Sequence, residues 1–330
     1  LLEFVLKDLS SFGVGRVSSL FVYPMSFDEF LTATGQEGLL RTKRNSSPTN
    51  PLPEAFYNRL VEAFRSYMLV GGMPEAVATY TETGSYRYSS DIVNEIIQGY
   101  QDDFAKYGAK ANPLLLRQTL ISVAHQAGAK FVYSRVEGQY RSAEVKVALE
   151  MLKDAGLIIP TYHTDANGVP LGAEINERVV KYLIHDTGVL LGILGIDDDI
   201  DDSIKEMMVA DSINLVDKGH VAEMMAGLEL IKYSSPQKRH QLYYWQNMNK
   251  GTCAEVDYVI ARSGSIVPIE VKSGVKGSMS SMYSLMRNPQ KHIEMGIRCS
   301  LENFGTFESP DGKKIDIIPL YAISNLFAEK

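Results

Sequence analysis

The chain has 330 residues, with 33 Lys and Arg against 40 Asp and Glu, a net charge of −7, and 45 % hydrophobic residues. That length suggests two or three domains, and the composition is that of a globular protein rather than a disordered one. Two cysteines cannot build a disulfide framework, no run approaches the roughly 18 apolar residues of a membrane span, and no signal peptide is present, so a cytoplasmic location without a membrane partner is expected.

The chain begins on Leu1-Leu2-Glu3-Phe4-Val5-Leu6, in mid-pattern and without a methionine. It reads as the continuation of a longer sequence; cleavage and an incomplete start are equally open. Ser18–Val22 has strand character. A helix opens near Ser26, because Ser26 and Glu29 have capping-box spacing. Thr34–Pro53, rich in Gly, Ser, Asn and Pro, reads as a loop. Helices follow at Pro53–Tyr67 and about Ser89–Tyr107, each with an apolar face at helical spacing. Residues 1–107 are therefore expected to be mostly helical.

Asn112-Pro113 is a helix start, with Asn as N-cap and Pro in the first turn. That helix runs to about Gly128. Ser142 is read as the N-cap of another, whose Val145, Ala148, Leu149 and Leu152 share a face and which Gly156 ends. Strands are expected at Leu157–Tyr162 and Val179–Ile184, with Asn167-Gly168 in the turn region between. Helix, helix and a two-stranded wing make the winged form of helix-turn-helix. Residues 108–160 carry seven basic and four acidic side chains. Arg141, Lys146 and Lys153, on or beside the second helix, are the candidate nucleic-acid contacts. The apolar stretch Val179–Ile196 is interrupted by Lys181, His185 and Asp186. The five aspartates within residues 197–202 then read as a solvated acidic linker.

From residue 201 the pattern is α/β. A helix face formed by Val221, Met224, Met225 and Leu228 surrounds Glu223. Strands are expected at Gln241–Gln246, Ala254–Ala261, Ser265–Lys272, Arg298–Leu301 and Ile315–Ala322, with a helix over Ser278–Met286. Side chains alternate along a strand, so Glu255 and Asp257 share a face, as do Glu270 and Lys272. Adjacent strands can therefore aim Asp257, Glu270 and Lys272 at one spot. Paired carboxylates suit a hard cation such as Mg²⁺, and a neighbouring lysine can orient or deprotonate an attacking water. Glu223, from the preceding helix, could supply a third carboxylate. The bland alternative is a salt bridge between Lys272 and its acidic neighbours on a solvated sheet face.

The order helix-Glu223, strand-Asp257, then Glu270-x-Lys272 resembles the PD-(D/E)XK nuclease superfamily, with Val256 in place of the family's proline. A longer ordered set accompanies it: Gly15-Arg16, Tyr23-Pro24-Met25-Ser26-Phe27-Asp28-Glu29-Phe30-Leu31, Gly71-Gly72-Met73-Pro74-Glu75-Ala76, His185-Asp186-Thr187-Gly188, Ala254–Asp257 and Lys272-Ser273-Gly274. Together these resemble a large prokaryotic group of AAA-superfamily ATPases that end in a nuclease-like domain of unknown function.

The resemblance implies a multidomain α+β chain: residues 1–107 as the end of the AAA core plus a helical lid, 108–200 as a winged helix with its acidic linker, and 201–330 as the nuclease-like domain. It implies catalytic and metal roles for Asp257, Glu270 and Glu223, a catalytic role for Lys272, and nucleotide contacts for Gly72, Pro74 and Arg16. No G-x-x-x-x-G-K-[ST] phosphate loop occurs in the sequence, so ATP is expected only with a P-loop module that these residues do not contain. On its own residues, Gly72-x-Pro74 reads rather as a tight turn between helices. The functional expectation is the C-terminal portion of an AAA-superfamily ATP-binding protein that couples a nucleotide switch to a winged helix and a nuclease-like domain. The alternatives are a Mg²⁺-dependent DNA or RNA phosphodiesterase, or a DNA-binding or regulatory protein with an inactive nuclease fold. Expected partners are nucleic acid, another protein or the ATPase module.

Overall fold

The computed structural model describes residues 18–106, 112–195, 218–247, 254–274 and 277–327. The N-terminal part is helical: α1 (Phe27–Ala33), α2 (Glu37–Arg44), α3 (Glu54–Val70), α4 (Pro74–Thr83) and α5 (Tyr86–Lys106). Ser26 and Glu29 form the expected capping box at α1, each satisfying a backbone N–H of the other. Residues 18–22 are not a strand. Leu20 and Val22 are exposed, and the Phe21 N–H bonds only to the Pro236 carbonyl, so no ladder forms around them.

The expected loop at 34–53 contains α2. Its charged residues hide an inward face, because Leu39, Leu40 and Lys43 are all buried. Lys43 is fully buried in an ion pair with Asp28 and lies 2.6 Å from the Ser324 hydroxyl. A buried lysine mimics a surface residue in any hydrophobicity pattern. Helix α4 was also not evident in the pattern, although Pro74 sits in its first turn and Gly84, in the left-handed region, ends it.

The middle of the chain has α6 (Pro113–His125), α7 (Ser142–Asp154), β1 (Ile158–Thr164), β2 (Ile175–Ile184) and α8 (Thr187–Ile193). Asn112 caps α6 as its sequence suggests, accepting from the Leu114 N–H. Ser142 is the first residue of α7 rather than its cap; Glu144 accepts from the Arg141 N–H instead. The apolar stretch from Val179 divides at His185-Asp186 because the Asp186 carboxylate accepts from the Val189 N–H and starts α8.

The last part comprises α9 (Lys218–Lys232), β3 (Leu242–Gln246), β4 (Glu255–Val256), β5 (Tyr258–Arg262), β6 (Ser265–Val271), α10 (Ser280–Arg287), β7 (Met295–Ser300), β8 (Gly305–Glu308) and β9 (Lys314–Pro319). Strand β8 was not anticipated. A 3₁₀ segment, Leu320–Leu326, follows β9 and packs on α9.

Two mixed sheets result, ordered β2-β1-β3-β4 and β5-β6-β7-β9-β8. The antiparallel β1–β2 pair was expected. Its extension was not: β3 joins β1 in parallel, and β4 joins β3. The first sheet therefore takes strands from both sides of the 200/201 boundary, so those segments share a hydrogen-bonded sheet. Helix α9 is buried from Val221 to Ile231 and packs on β2, β6, α8 and the final 3₁₀ segment. Its apolar side chains belong to one core that runs from Phe27 in α1 to Leu326. A smaller core under α10 contains Trp245, Val256, Met282 and Ile315. No described helix is long and apolar enough to cross a membrane.

Candidate functional site

The strand expected at 254–261 is broken at Asp257. On one side β4 pairs with β3; on the other β5 pairs with β6. Asp257 thus sits at the seam between the two sheets. The β5–β6 register pairs Tyr258 with Ile269, so the next step along the ladder places Asp257 opposite Glu270. The Asp257 carboxylate accepts from the Val271 N–H at 2.7 Å, fixing its place beside β6. Lys272 donates to Glu270 Oε1 at 2.6 Å, as the alternation along β6 predicts.

Glu223 reaches the same region from α9. Tyr258, the residue after Asp257, donates its hydroxyl to the Glu223 carbonyl at 2.8 Å. Its ring fits because residue 227 is glycine. A Cβ there would stand 2.4 Å from the phenol oxygen, closer than real side chains approach. Gly227 therefore sets the distance between α9 and the seam. Gly128, in the left-handed region after α6, packs against the His220 ring, 2.5 Å from a built Cβ, and that Cβ would stand 3.2 Å from Glu223 Oε2.

Two further members were not singled out from the sequence as functional residues. Lys181, on β2, is buried and lies 2.8 Å from Glu223 Oε1 and 2.5 Å from Glu255 Oε1. The available signal was a lysine inside the apolar run Val179–Ile184. Glu255 was noted only as sharing a face with Asp257. The cluster thus contains four carboxylates, from Glu223, Glu255, Asp257 and Glu270, and two ammonium groups, from Lys181 and Lys272.

The electrostatics reflect that imbalance. Burial pushes Glu223 up to about 8, with Lys181 pulling it down and Asp257 adding to the rise. Burial and then the Asp257 charge push Glu270 up to about 7, against the pull of Lys272. Burial also raises Asp257, despite the Val271 N–H and the two lysines. Burial alone would lower Lys181, but Glu223 and Glu255 hold it above the usual lysine value. Burial, with Asp257 nearby, pushes the Cys299 thiol up to about 12, so it stays protonated near neutral pH. Glu270 Oε2 is buried and has no hydrogen-bond partner among the described residues. Such orphaned oxygens are uncommon in native interiors.

Among the described residues, no three His, Cys, Asp or Glu side chains are arranged to hold a metal. Glu223 is engaged by Lys181, so the expected three-carboxylate set is reduced to Asp257 and Glu270. Two carboxylates do fit Mg²⁺, which usually keeps several waters and takes one or two carboxylates from protein. The orphaned Glu270 oxygen would be a free acceptor for such an ion.

The other candidates fall elsewhere. Arg16 lies outside the described residues, as does the acidic linker. Pro74 is in the first turn of α4. The Gly72 N–H donates to Asp186 at 2.6 Å, and a Cβ on Gly72 would stand 2.3 Å from the Met25 carbonyl. The space beside Gly72 is filled by the chain's own backbone. Around it, the Tyr67 hydroxyl lies 2.6 Å from the Met25 carbonyl and 2.8 Å from Glu229 Oε1. Lys232 donates to Met25 and Tyr67, and Glu229 accepts from the Phe27 N–H at the start of α1. The motifs at Tyr23–Leu31, Gly71–Ala76 and His185–Gly188 thus meet in one knot, which docks α9 onto the N-terminal helices. Arg141 and Lys146 are exposed at α7, whereas Lys153 is paired with Glu150. Lys146 borders a cleft of about 670 Å³ shared with Arg178, His163, Asp165 and Glu174.

Residues 218–323 match a domain of unknown function, DUF4143. This domain is found in AAA-ATPase-associated proteins, which agrees with the broader resemblance read from the motifs. The DUF4143 match covers α9 and the second sheet, and so holds five of the six members of the acid–lysine cluster. Residues 61–200 match a second domain of unknown function, DUF8612, which crosses the boundary expected at 107/108 and contains Lys181. No curated protein and no solved structure matches the chain.

Proposed function

We propose that the chain is the effector portion of an AAA-superfamily ATP-binding protein, in which a winged helix built on α6, α7, β1 and β2 adjoins a PD-(D/E)XK nuclease-like domain acting on phosphodiesters. ATP belongs to a P-loop module, and its use would reach these residues through the N-terminal helices. The observation that carries the phosphodiester reading is Glu270. It lies at the seam beside Asp257 with one oxygen bound by Lys272 and the other buried without a partner among the described residues. Asp257 and Glu270 would hold a divalent cation such as Mg²⁺, which supplies Lewis-acid stabilisation of charge on a scissile phosphate. Lys272, half-buried and held by Glu270, would orient the attacking water through its ammonium group, or take up the water's proton after first releasing its own to solvent.

The test is cleavage of single- and double-stranded DNA and RNA with Mg²⁺ or Mn²⁺. Activity is expected to fall at least about 100-fold in Asp257→Ala and Lys272→Ala, in keeping with loss of a general base or electrostatic stabiliser. Cleavage unchanged in both variants would overturn the reading.

A second reading rests on Lys181. Because its ammonium engages Glu223, the domain could be an inactive nuclease fold that regulates or docks, with DNA contacts from Arg141, Lys146 and Lys153. That reading gains ground if wild-type chain cleaves nothing yet binds duplex DNA in a salt-dependent manner.

A further inference from the structure

We infer that the Lys181 ammonium is a built-in cation filling a second divalent-ion position, between Glu223 and Glu255, so that the chain takes one divalent ion where its carboxylates could take two. The number of ions in the wild-type chain rests on the Asp257–Glu270 reading above; the role of Lys181 does not.

The geometry is that of a shared cation. The Lys181 Nζ is 2.8 Å from Glu223 Oε1 on α9 and 2.5 Å from Glu255 Oε1 on β4. The face of the Tyr244 ring lies 5.0 Å from it and adds a cation–π contact. Lysine comes to this position from β2, a strand that is otherwise apolar from Val179 to Ile184. Its side chain is fully enclosed. Burial of an ammonium is strongly unfavourable unless opposite charges surround it, so the residue is tied to these acids.

Glu270 gives an independent observation at the other end of the cluster. Its Oε2 is buried and unpartnered while Oε1 is held by Lys272. With all four carboxylates ionised, as a bound cation would hold them, two ammonium groups leave an excess of two negative groups, the charge that one divalent ion supplies. Without Lys181 the excess becomes three, and the pair left bare, Glu223 and Glu255, are hard oxygen donors of the kind Mg²⁺ and Mn²⁺ take. A lysine differs from a metal in one useful respect. It cannot dissociate, so the position it fills is never open to exchange.

The test counts Mn²⁺ bound to the full chain by electron paramagnetic resonance in wild type, Lys181→Met, Lys181→Arg and Asp257→Asn. Lys181→Met is expected to bind one ion more than wild type. Lys181→Arg is expected to match wild type, and Asp257→Asn to bind one fewer. A folded Lys181→Met with the wild-type number of ions overturns the inference and leaves the Asp257–Glu270 reading standing. No ion on wild type and one on Lys181→Met supports the inference and removes that reading.

If Lys181→Met does not fold, its rescue by Mn²⁺ is measured by circular dichroism beside the double variant Lys181→Met/Glu223→Gln. Folding restored by Mn²⁺ supports the inference. A folded double variant beside a single variant that Mn²⁺ cannot rescue overturns it, because the lysine is then needed but a metal cannot replace it. Failure of both variants to fold with Mn²⁺ present also overturns it.

Discussion

Two buried polar networks hang on the same helix, α9, and they are built on opposite terms. At the knot, Glu229 and Asp186 each accept from backbone N–H groups, Tyr67 and Lys232 close the remaining bonds, and no buried atom of these side chains is left without a partner among the described residues. At the sheet seam, four acids meet two lysines, three of the acids are pushed upward in pKa, and one Glu270 oxygen is orphaned. A network that exists to hold elements together satisfies its members. One that keeps like charges close and a polar atom bare retains a cost that folding alone does not explain. The contrast separates the motifs that assemble the chain from those to which the proposed function assigns chemistry.

The sharpest way to break the comparison is to remove one acid from each side. Asp186→Ala should destabilise the chain by about 3 kcal/mol, since it deletes a helix cap and leaves the buried Gly72 N–H unpaired; urea unfolding measures this. Glu270→Gln should change stability by less than about 1 kcal/mol, or raise it, because it relieves like-charge repulsion. The same variant should lose divalent-ion binding and any cleavage. Equal losses of stability in both would erase the distinction.

Close approach gives a second, smaller test. Gly227→Ala should cost about 1–3 kcal/mol by overpacking against Tyr258, and should weaken ion binding as α9 is displaced from Asp257. Gly72→Ala should cost a similar amount at the Met25 carbonyl and leave the ion affinity of the folded chain unchanged.

The two networks also differ in the sign of their pH dependence. Glu223 and Glu270 have folded pKa values raised above their unfolded ones, to about 8 and about 7. Their contribution is full below about pH 4.5 and is lost as pH rises through 7 and 8. His185, beside the knot, is held below the usual histidine value by burial, with Asp186 opposing. Its contribution is present above about pH 6.5 and declines as pH falls below that. With divalent ions chelated, the urea midpoint should therefore fall as pH rises towards 8, while below about pH 6.5 the loss at His185 opposes the carboxylate gain. Glu270→Gln should flatten the alkaline fall, and His185→Gln should steepen the gain on the acid side.

The smallest stability effect is expected at the exposed face of α7. Lys146→Glu with Lys153→Glu should change stability by about 0.5 kcal/mol or less. A loss of salt-dependent duplex binding in that variant would favour the DNA-contact reading.

Much of this was legible in the sequence where local chemistry decides the outcome. Ser26 with Glu29, and Asn112 before Pro113, place helix starts because the capping groups lie within three residues of the N–H groups they satisfy. Glu270 and Lys272 face one another because strand alternation requires it. What stayed hidden depends on distant partners. Lys43 and Lys181 look like surface residues until Asp28, Glu223 and Glu255 arrive from elsewhere in the chain. The parallel pairing of β3 with β1 joins residues about 80 positions apart and leaves no local mark. The break at Asp257 was likewise invisible, since each half of that strand follows a different sheet.

Helix α9 has one more consequence. Glu223 and Glu229 are six positions apart, which sets them about 9 Å apart along the axis and about 120° around it. Those two offsets aim one acid at the seam and the other at the start of α1. Substitutions between them can be absorbed wherever the new side chain fits. A single inserted or deleted residue cannot, because it would turn one end of the helix by about 100° relative to the other and misalign both partners together. The length of this segment is therefore under tighter constraint than its composition.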